Sequence, residues 1–247
     1  MAEETSNLPS TFVDAGGFEE LDASDYKLPI IKLMQQMSPE LNRTKGEYNP
    51  DAGAGDFVNS ATQEVYGEEI SIIVAVVQSR VNEWAPLGSG GGFAGSYTKA
   101  QVPTDYTENE KRQQVRPSGN VLTPTMYYYV LICKPDGTYD RGVLTLKGTQ
   151  YKKAKAFNTM MEAARFKEGP NKGKSMAPYS FLYDVKAVVE TGTSYSWFGY
   201  GIKRVREVAP EEYELARAFK AVVDSGAQVQ HEGQTDETTS SAEPTNF

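Results

Sequence analysis

The stretch MYYYVLICKPDGTYDRGVLTLK, Met126 to Lys147, decides the fold. Met126–Cys133 is a continuous run of Tyr, Val, Leu and Ile, the composition of a buried strand. Lys134-Pro135-Asp136-Gly137-Thr138 is a turn sequence, with Pro presetting one φ and Gly accepting a positive one. Tyr139–Lys147 resumes as a second strand, so the segment reads as a hairpin. The period then changes. From Thr149 to about Lys167, Tyr151, Ala154, Phe157, Met161 and Ala164 recur at helical spacing, with Lys152, Lys153 and Lys155 mainly off that face. Beyond the helix, Pro178–Glu190 and Thr193–Val208 read as two strands joined through Thr191-Gly192.

Upstream, Ile70–Ser79 (ISIIVAVVQS) is a β-branched buried strand, and Phe57 and Val58 open a shorter one. Residues 27–34 (KLPIIKLM) read as extended, because the residue before Pro29 is pushed out of the helical region. NPDAGAGD (49–56) reads as loop. Residues 85–125 are glycine-rich and polar, a long loop that is either functional or mobile. Downstream, a second helix starts at Pro210 with Glu211 and Glu212 in its first turn, carries the stripe Leu215, Phe219 and Val222, and stops at Gly226. Residues 1–25 hold seven acids and no base and read as a flexible arm, and 227–247 read as a disordered acidic tail. The body is then 26–226. The chain is mainly β with two helices, and the order of strands, helix, two strands and terminal helix outlines a five-stranded Greek-key barrel, the OB-fold, with N-terminal additions. An open α+β sheet has the same element order.

Charge is unevenly spread over the 247 residues. The net charge is −8, yet Arg141–Arg206 holds thirteen Lys and Arg against four acids, and Glu207–Phe247 two against nine. Attraction acts through local patches, screened beyond roughly 8–10 Å. Cys133 is the sole cysteine and His231 the sole histidine. That leaves no ligand set for structural zinc and no His-based catalytic triad in the body, and it fits a reducing compartment. The start, MAEETSNLPS, lacks the basic and apolar regions of a secretory signal. The longest aliphatic run, Ile72–Val77, is too short for a membrane span. The expectation is a soluble, cytoplasmic protein with no cofactor and no metal.

In the two late strands, Tyr179, Phe181, Tyr183 and Val185 share one face. Tyr195 and Trp197 share another, opposite Phe198, Tyr200 and Ile202. Tyr127 and Tyr129 also share a face. Aromatics of this density serve either as barrel core or as stacking platforms for the bases of a single strand. Lys203, Arg204 and Arg206 follow the last aromatic strand, Lys147, Lys152 and Lys153 flank the helix start, and Arg80 follows Ile70–Ser79. These are either phosphate contacts or a solvated face. The glycine stretch 88–96 contains a literal GxGxxG, but SYTKAQVP rather than a helix follows it. It reads better as a flap carrying Phe93 and Tyr97 near Trp84. GPNKGKS (169–175) is one residue short of a phosphate loop and lies between helix and strand, not strand and helix. Asp184-Val185-Lys186, with Pro135-Asp136 upstream, matches in outline a PD-(D/E)xK nuclease site, although Pro135-Asp136-Gly137 is also ordinary turn composition.

The tail contains Asp236, Glu237 and Glu243 and closes on Phe247. A polar, acidic terminus is commonly a solubility segment, but a lone terminal Phe with its carboxylate can fill a partner pocket. With this tail and this element order, the chain resembles the phage-encoded single-stranded DNA-binding proteins, which have an OB-fold body and an acidic tail ending in Phe. The acids here are sparser, with no run of Asp before Pro244-Thr245-Asn246-Phe247. The resemblance implies a non-enzymatic protein that binds single-stranded DNA and recruits replication or recombination proteins through the tail. Arg80, Trp84, Phe93, Tyr97, Tyr127, Tyr129, Lys147, Lys152, Lys153, Tyr195, Trp197, Lys203, Arg204 and Arg206 would contact the strand. A homo-oligomer is compatible with the sequence. A Mg²⁺-dependent nuclease and a phage structural or assembly protein are the alternatives.

Overall fold

A computed structural model describes residues 27–86, 92–193 and 195–229. The arm expected over 1–25 and, from residue 230 on, the expected tail lie outside the described residues. Among the described residues are thirteen strands and two α-helices. Four short strands come first: β1 (Lys27–Leu28), β2 (Ile31–Leu33), β3 (Phe57–Asn59) and β4 (Val65–Gly67). The long β5 (Glu69–Ala85) is followed by β6 (Gly92–Tyr97), β7 (Thr107–Glu108) and β8 (Gln114–Val115). The quoted hairpin is β9 (Val121–Cys133) and β10 (Tyr139–Lys147). Then come α1 (Tyr151–Glu162), β11 (Phe181–Thr191), β12 (Ser196–Glu207), α2 (Pro210–Asp224) and β13 (Gln228–Val229).

Five of these strands carry the fold in the order β10-β9-β5-β11-β12, each neighbour antiparallel. Counting β5, β9, β10, β11 and β12 as one to five, with α1 between three and four, this is the OB strand order. The sheet curls into a half-barrel. The N-terminal segment fills the seam between β10 and β12. Val143 N–H donates to Pro29 O at 2.9 Å, and Ile30 bridges Val143 in parallel. Gly142 admits this approach: a Cβ there would stand 2.7 Å from Ile31 Cδ1. On the other side of the seam the Gln35 amide imitates a strand. Its Nε2 donates to Phe198 O at 3.0 Å, and Phe198 N–H donates to its Oε1 at 2.9 Å. Gln150 Oε1 accepts from Tyr200 N–H at 3.1 Å. Two side-chain amides thus satisfy backbone groups that an edge strand would leave to water.

Two cores sandwich the curled sheet. Inside, Ile72, Tyr128, Ile132, Leu144, Tyr183 and Val185 pack with Ala154, Phe157 and Met161 of α1, the stripe read from the sequence. Phe157 stands edge-on to Tyr183, ring centroids 5.0 Å apart. Outside, α2 lays Ala216, Phe219 and Val223 on Ile73, Tyr129, Leu131, Val143 and Leu182. Burying each large side chain stabilises the fold by about 1.5–3 kcal/mol. The expected α2 stripe is rotated: Leu215 is 47% exposed, and Ala216 takes the sheet-facing position where the small side chain allows close approach.

Two other expectations need correction. The first helix stops at Glu162 rather than near Lys167, because residues 165–175 turn back as a hairpin with Phe166 N–H on Lys174 O at 3.1 Å. The 85–125 loop contains β6, β7 and β8: β6 pairs on the overhanging end of β5, β8 on that of β9, and β7 on β8. Glycine and polar residues carry little strand propensity of their own, so only the long neighbouring strands make these pairings. Among the described residues no helix is long and apolar enough to cross a membrane.

Candidate functional site

The outer face of β5, β9 and β10 holds the site, and a β-bulge aims it. The β5–β9 register shifts between Val74 and Val76, with Ala75 as the extra residue. Strict alternation from Ile73 would turn residues 77, 79 and 81 outward. The bulge instead sends Gln78, Arg80, Asn82 and Trp84 to the outer face, opposite Tyr127, Thr125, Thr123 and Val121. From β10, Thr145 and Lys147 join them, opposite Tyr127 and Thr125.

Two cavities open on this face and share Tyr127. One, about 350 Å³, lies at the barrel seam against Lys32, Gln35, Glu40, Asn82, Trp84, Lys147, Gln150, Phe198 and Tyr200. The other, about 490 Å³, is bounded by Gln78, Arg80, Phe93, Ser96 and Tyr129, and by Val223, Gly226, Ala227 and Val229 at the end of α2. Joined through Tyr127 and the Trp84–Phe93 contact, the two make up one candidate groove over β5, β6, β9 and β10.

The groove wall is aromatic and cationic. Trp84 and Phe93 meet edge to face at 5.7 Å, and Lys147 Nζ lies 4.3 Å from the Trp84 ring centroid. Tyr127 forms the floor, 3% exposed, its hydroxyl accepting from the Asn82 amide, which Ser96 Oγ also contacts at Oδ1 (3.0 Å). Burial pushes the Tyr127 hydroxyl up to about 12, so it stays neutral. At the seam Lys32 Nζ donates to Glu40 Oε1 at 2.6 Å, and Glu40 is 2% exposed.

Of the sequence-derived candidates, Arg80, Trp84, Phe93, Tyr127, Tyr129 and Lys147 come together here. Tyr127 and Tyr129 lie under the groove and α2, at 3% and 5% exposed, so neither offers an open ring face. Tyr97 stands behind the wall, its hydroxyl donating to Glu83 Oε2 at 2.7 Å. Burial opposes ionisation of Glu83, but bonds from Tyr97 and Asn120 and the Arg116 charge outweigh it and hold the carboxyl below its ordinary range.

A second cluster sits on the β11–β12 hairpin. Trp197 Nε1 donates to Glu190 Oε2 at 3.0 Å, Lys153 pairs with the same carboxylate, and Tyr195, 70% exposed, contacts the Trp197 ring at 5.3 Å. Gln150 joins this cluster to the groove, because it lines the seam cavity and also donates to Glu190. Lys152 and Lys203 are exposed away from the cavities. Arg204 is turned to the base of the barrel, over the Phe181 ring at 4.5 Å and onto Met160 O. Arg206 clamps Glu212 at the start of α2 with bonds of 2.7 and 2.8 Å. Asp236, Glu237, Glu243 and Phe247 lie outside the described residues.

The nuclease candidates do not converge on a metal. Asp184 accepts from Ser71 Oγ at 2.7 Å, and Asp136 caps its own turn through Thr138 N–H and Oγ. Among the described residues no three His, Cys, Asp or Glu side chains are grouped to hold an ion. The sequence reading missed Lys32, Gln35, Glu40, Asn82 and Gln150. The signal for the first two was there: polar residues between Pro29 and Pro39 in an otherwise apolar run, with Glu40 directly after it.

A family model described as Pam3 phage gp34-like protein matches residues 4–229. No curated protein and no solved structure matches the chain.

Proposed function

This chain belongs to the Pam3 phage gp34-like protein family, and on that premise we propose that it is a non-catalytic protein that binds single-stranded DNA. The observation that carries the reading is the convergence of Trp84, Phe93, Lys147 and Arg80, from β5, β6 and β10, on the two adjoining cavities of one face; this is also the face on which OB-folds hold oligonucleotides. A strand entering the groove offers phosphates to Lys147 and Arg80 and bases to Trp84 and Phe93. The ammonium over the Trp84 ring is held by a cation–π contact of about 0.5–2 kcal/mol. A phosphate draws it off, and the exposed ring gains a stacking partner worth roughly 1–3 kcal/mol. Exposed Lys152 and Lys155 on α1 supply further cations for a longer strand.

The tail fits the same reading. β1 and β13 pair in parallel, and Val229, the last described residue, lines the Arg80 cavity, so the chain leaves for Asp236, Glu237, Glu243 and Phe247 from the edge of the groove. The tail then competes with DNA for the groove and binds replication or recombination proteins once displaced. Fluorescence anisotropy with single- and double-stranded oligonucleotides of one sequence tests the proposal. A salt-sensitive preference for the single strand supports it. Equal binding, or none, refutes it.

A further inference from the structure

We propose that the seam cavity is a base pocket that receives one keto nucleobase, guanine or thymine, turned out of the bound strand. This rests on the single-strand reading and names what the groove does with one base. In-line stacking on Trp84 and Phe93 needs only a shallow wall. The recess between β10, β12 and the N-terminal segment is about 350 Å³, within the range of small-ligand pockets. Its sides include Trp84, Phe198 and Tyr200, which suit a flat ring.

The polar groups at the recess are held in place before any ligand arrives. Asn82 is fixed by Tyr127 and Ser96, and Gln150 by Tyr200 and Glu190. The Lys32–Glu40 pair is the unusual part. Glu40 is a buried carboxylate in a segment whose packing is otherwise supplied by Ile31, Leu33 and Met34. Removing an ion pair from water costs several kcal/mol per ion, and an apolar pair would anchor the segment at less cost. At the recess wall the pair sets an anionic acceptor beside a cationic donor. Guanine and thymine carry an imino N–H next to a carbonyl, which matches carboxylate and ammonium in that order. With the sugar held on the same side by the bound strand, adenine and cytosine present the reverse order, an amino donor toward Lys32 and a ring-nitrogen acceptor toward the Glu40 carboxylate. A site built around such a pair rejects the wrong edge strongly, because its buried groups are left unpaired.

The test uses the full chain and two ligand sets. The first is dGMP, TMP, dAMP and dCMP, titrated while following the indole N–H resonances of the two tryptophans, with Trp84 assigned by its loss in Trp84→Phe. The second is a thymine oligonucleotide against copies carrying one abasic site at each position in turn. The expected result is a saturable Trp84 shift with dGMP and TMP at affinities roughly tenfold above those of dAMP and dCMP. A single abasic position should weaken the strand more than the others. Lys32→Met and Glu40→Gln should each erase the preference among nucleotides. If Glu40→Gln fails to fold, Lys32→Met and the wild-type titrations decide alone. Equal shifts for all four nucleotides, or none alongside salt-dependent strand binding, overturn the base pocket and leave the groove reading intact. A keto preference without strand binding keeps the pocket and overturns the groove reading.

Discussion

Neutralising the two groove cations should flatten the salt dependence of single-strand binding by a calculable amount. Arg80 and Lys147 line the two cavities, while Lys32 is neutralised by Glu40. For single strands, log K falls with log salt at a slope of about −0.7 per phosphate contact, so these two residues contribute about −1.4. Between about 50 and 200 mM salt that alone weakens binding roughly sevenfold, and each cation accounts for about 2.6-fold. Arg80→Ala and Lys147→Met should each therefore reduce the slope by about 0.7, and the double variant by about 1.4. Lys203 is an exposed lysine on β12 that lines neither cavity, so Lys203→Ala should leave the slope unchanged. The assay is anisotropy of a labelled thymine oligonucleotide over a salt series, with circular dichroism as a folding control. An unchanged slope in the folded double variant, or a loss in Lys203→Ala as large as in Lys147→Met, would falsify the assignment of phosphate contacts to this groove.

Other predictions concern the seam, the acid limb and the tail. Gln35→Ala strands the Phe198 backbone N–H and C=O at the seam and should lower stability by about 1–3 kcal/mol in urea unfolding. Hydrogen bonding and charge from Arg206 hold the Glu212 carboxyl below its ordinary value of 4.5. The stability this pair adds is therefore present above about pH 4.5 and is lost as the pH falls through the lower folded value. Glu212→Gln should flatten the acid limb of the stability profile, and an unchanged limb would contradict the pairing. A chain ending at Val229 keeps β13 and its contact with β1, so it should fold normally. It should bind single strands more tightly than the full chain if the tail competes; equal affinity removes the competition.

Much of the fold was legible because it rests on local chemistry. The β9–β10 hairpin followed from a β-branched run and a Pro-Asp-Gly turn, and the buried face of α1 followed from one period. The position of the helix among the strands outlined the barrel but fitted an open sheet as well, and the strand pairings decide between them. What stayed hidden depends on tertiary partners. Nothing local distinguishes the Tyr127 and Tyr129 side chains from stacking tyrosines, since α2 and the groove floor bury them from the other end of the chain. The Ala75 bulge leaves no mark in an aliphatic run, yet it decides that Arg80 and Trp84 face the groove. Gln35 and Gln150 look like surface residues until they are seen standing in for a strand at the seam. Arg204 and Arg206, the most basic stretch of β12, turned out to secure α1 and α2.

Photocrosslinking tests the central claim most directly. A thymine oligonucleotide carrying one photoreactive base at successive positions is bound to the full chain, irradiated and mapped by mass spectrometry. Crosslinks concentrated on Trp84, Phe93 and their neighbours in β9 and β10 are the predicted result. Crosslinks confined to the β11–β12 hairpin or to the 165–175 hairpin, with the groove unmarked, would contradict it.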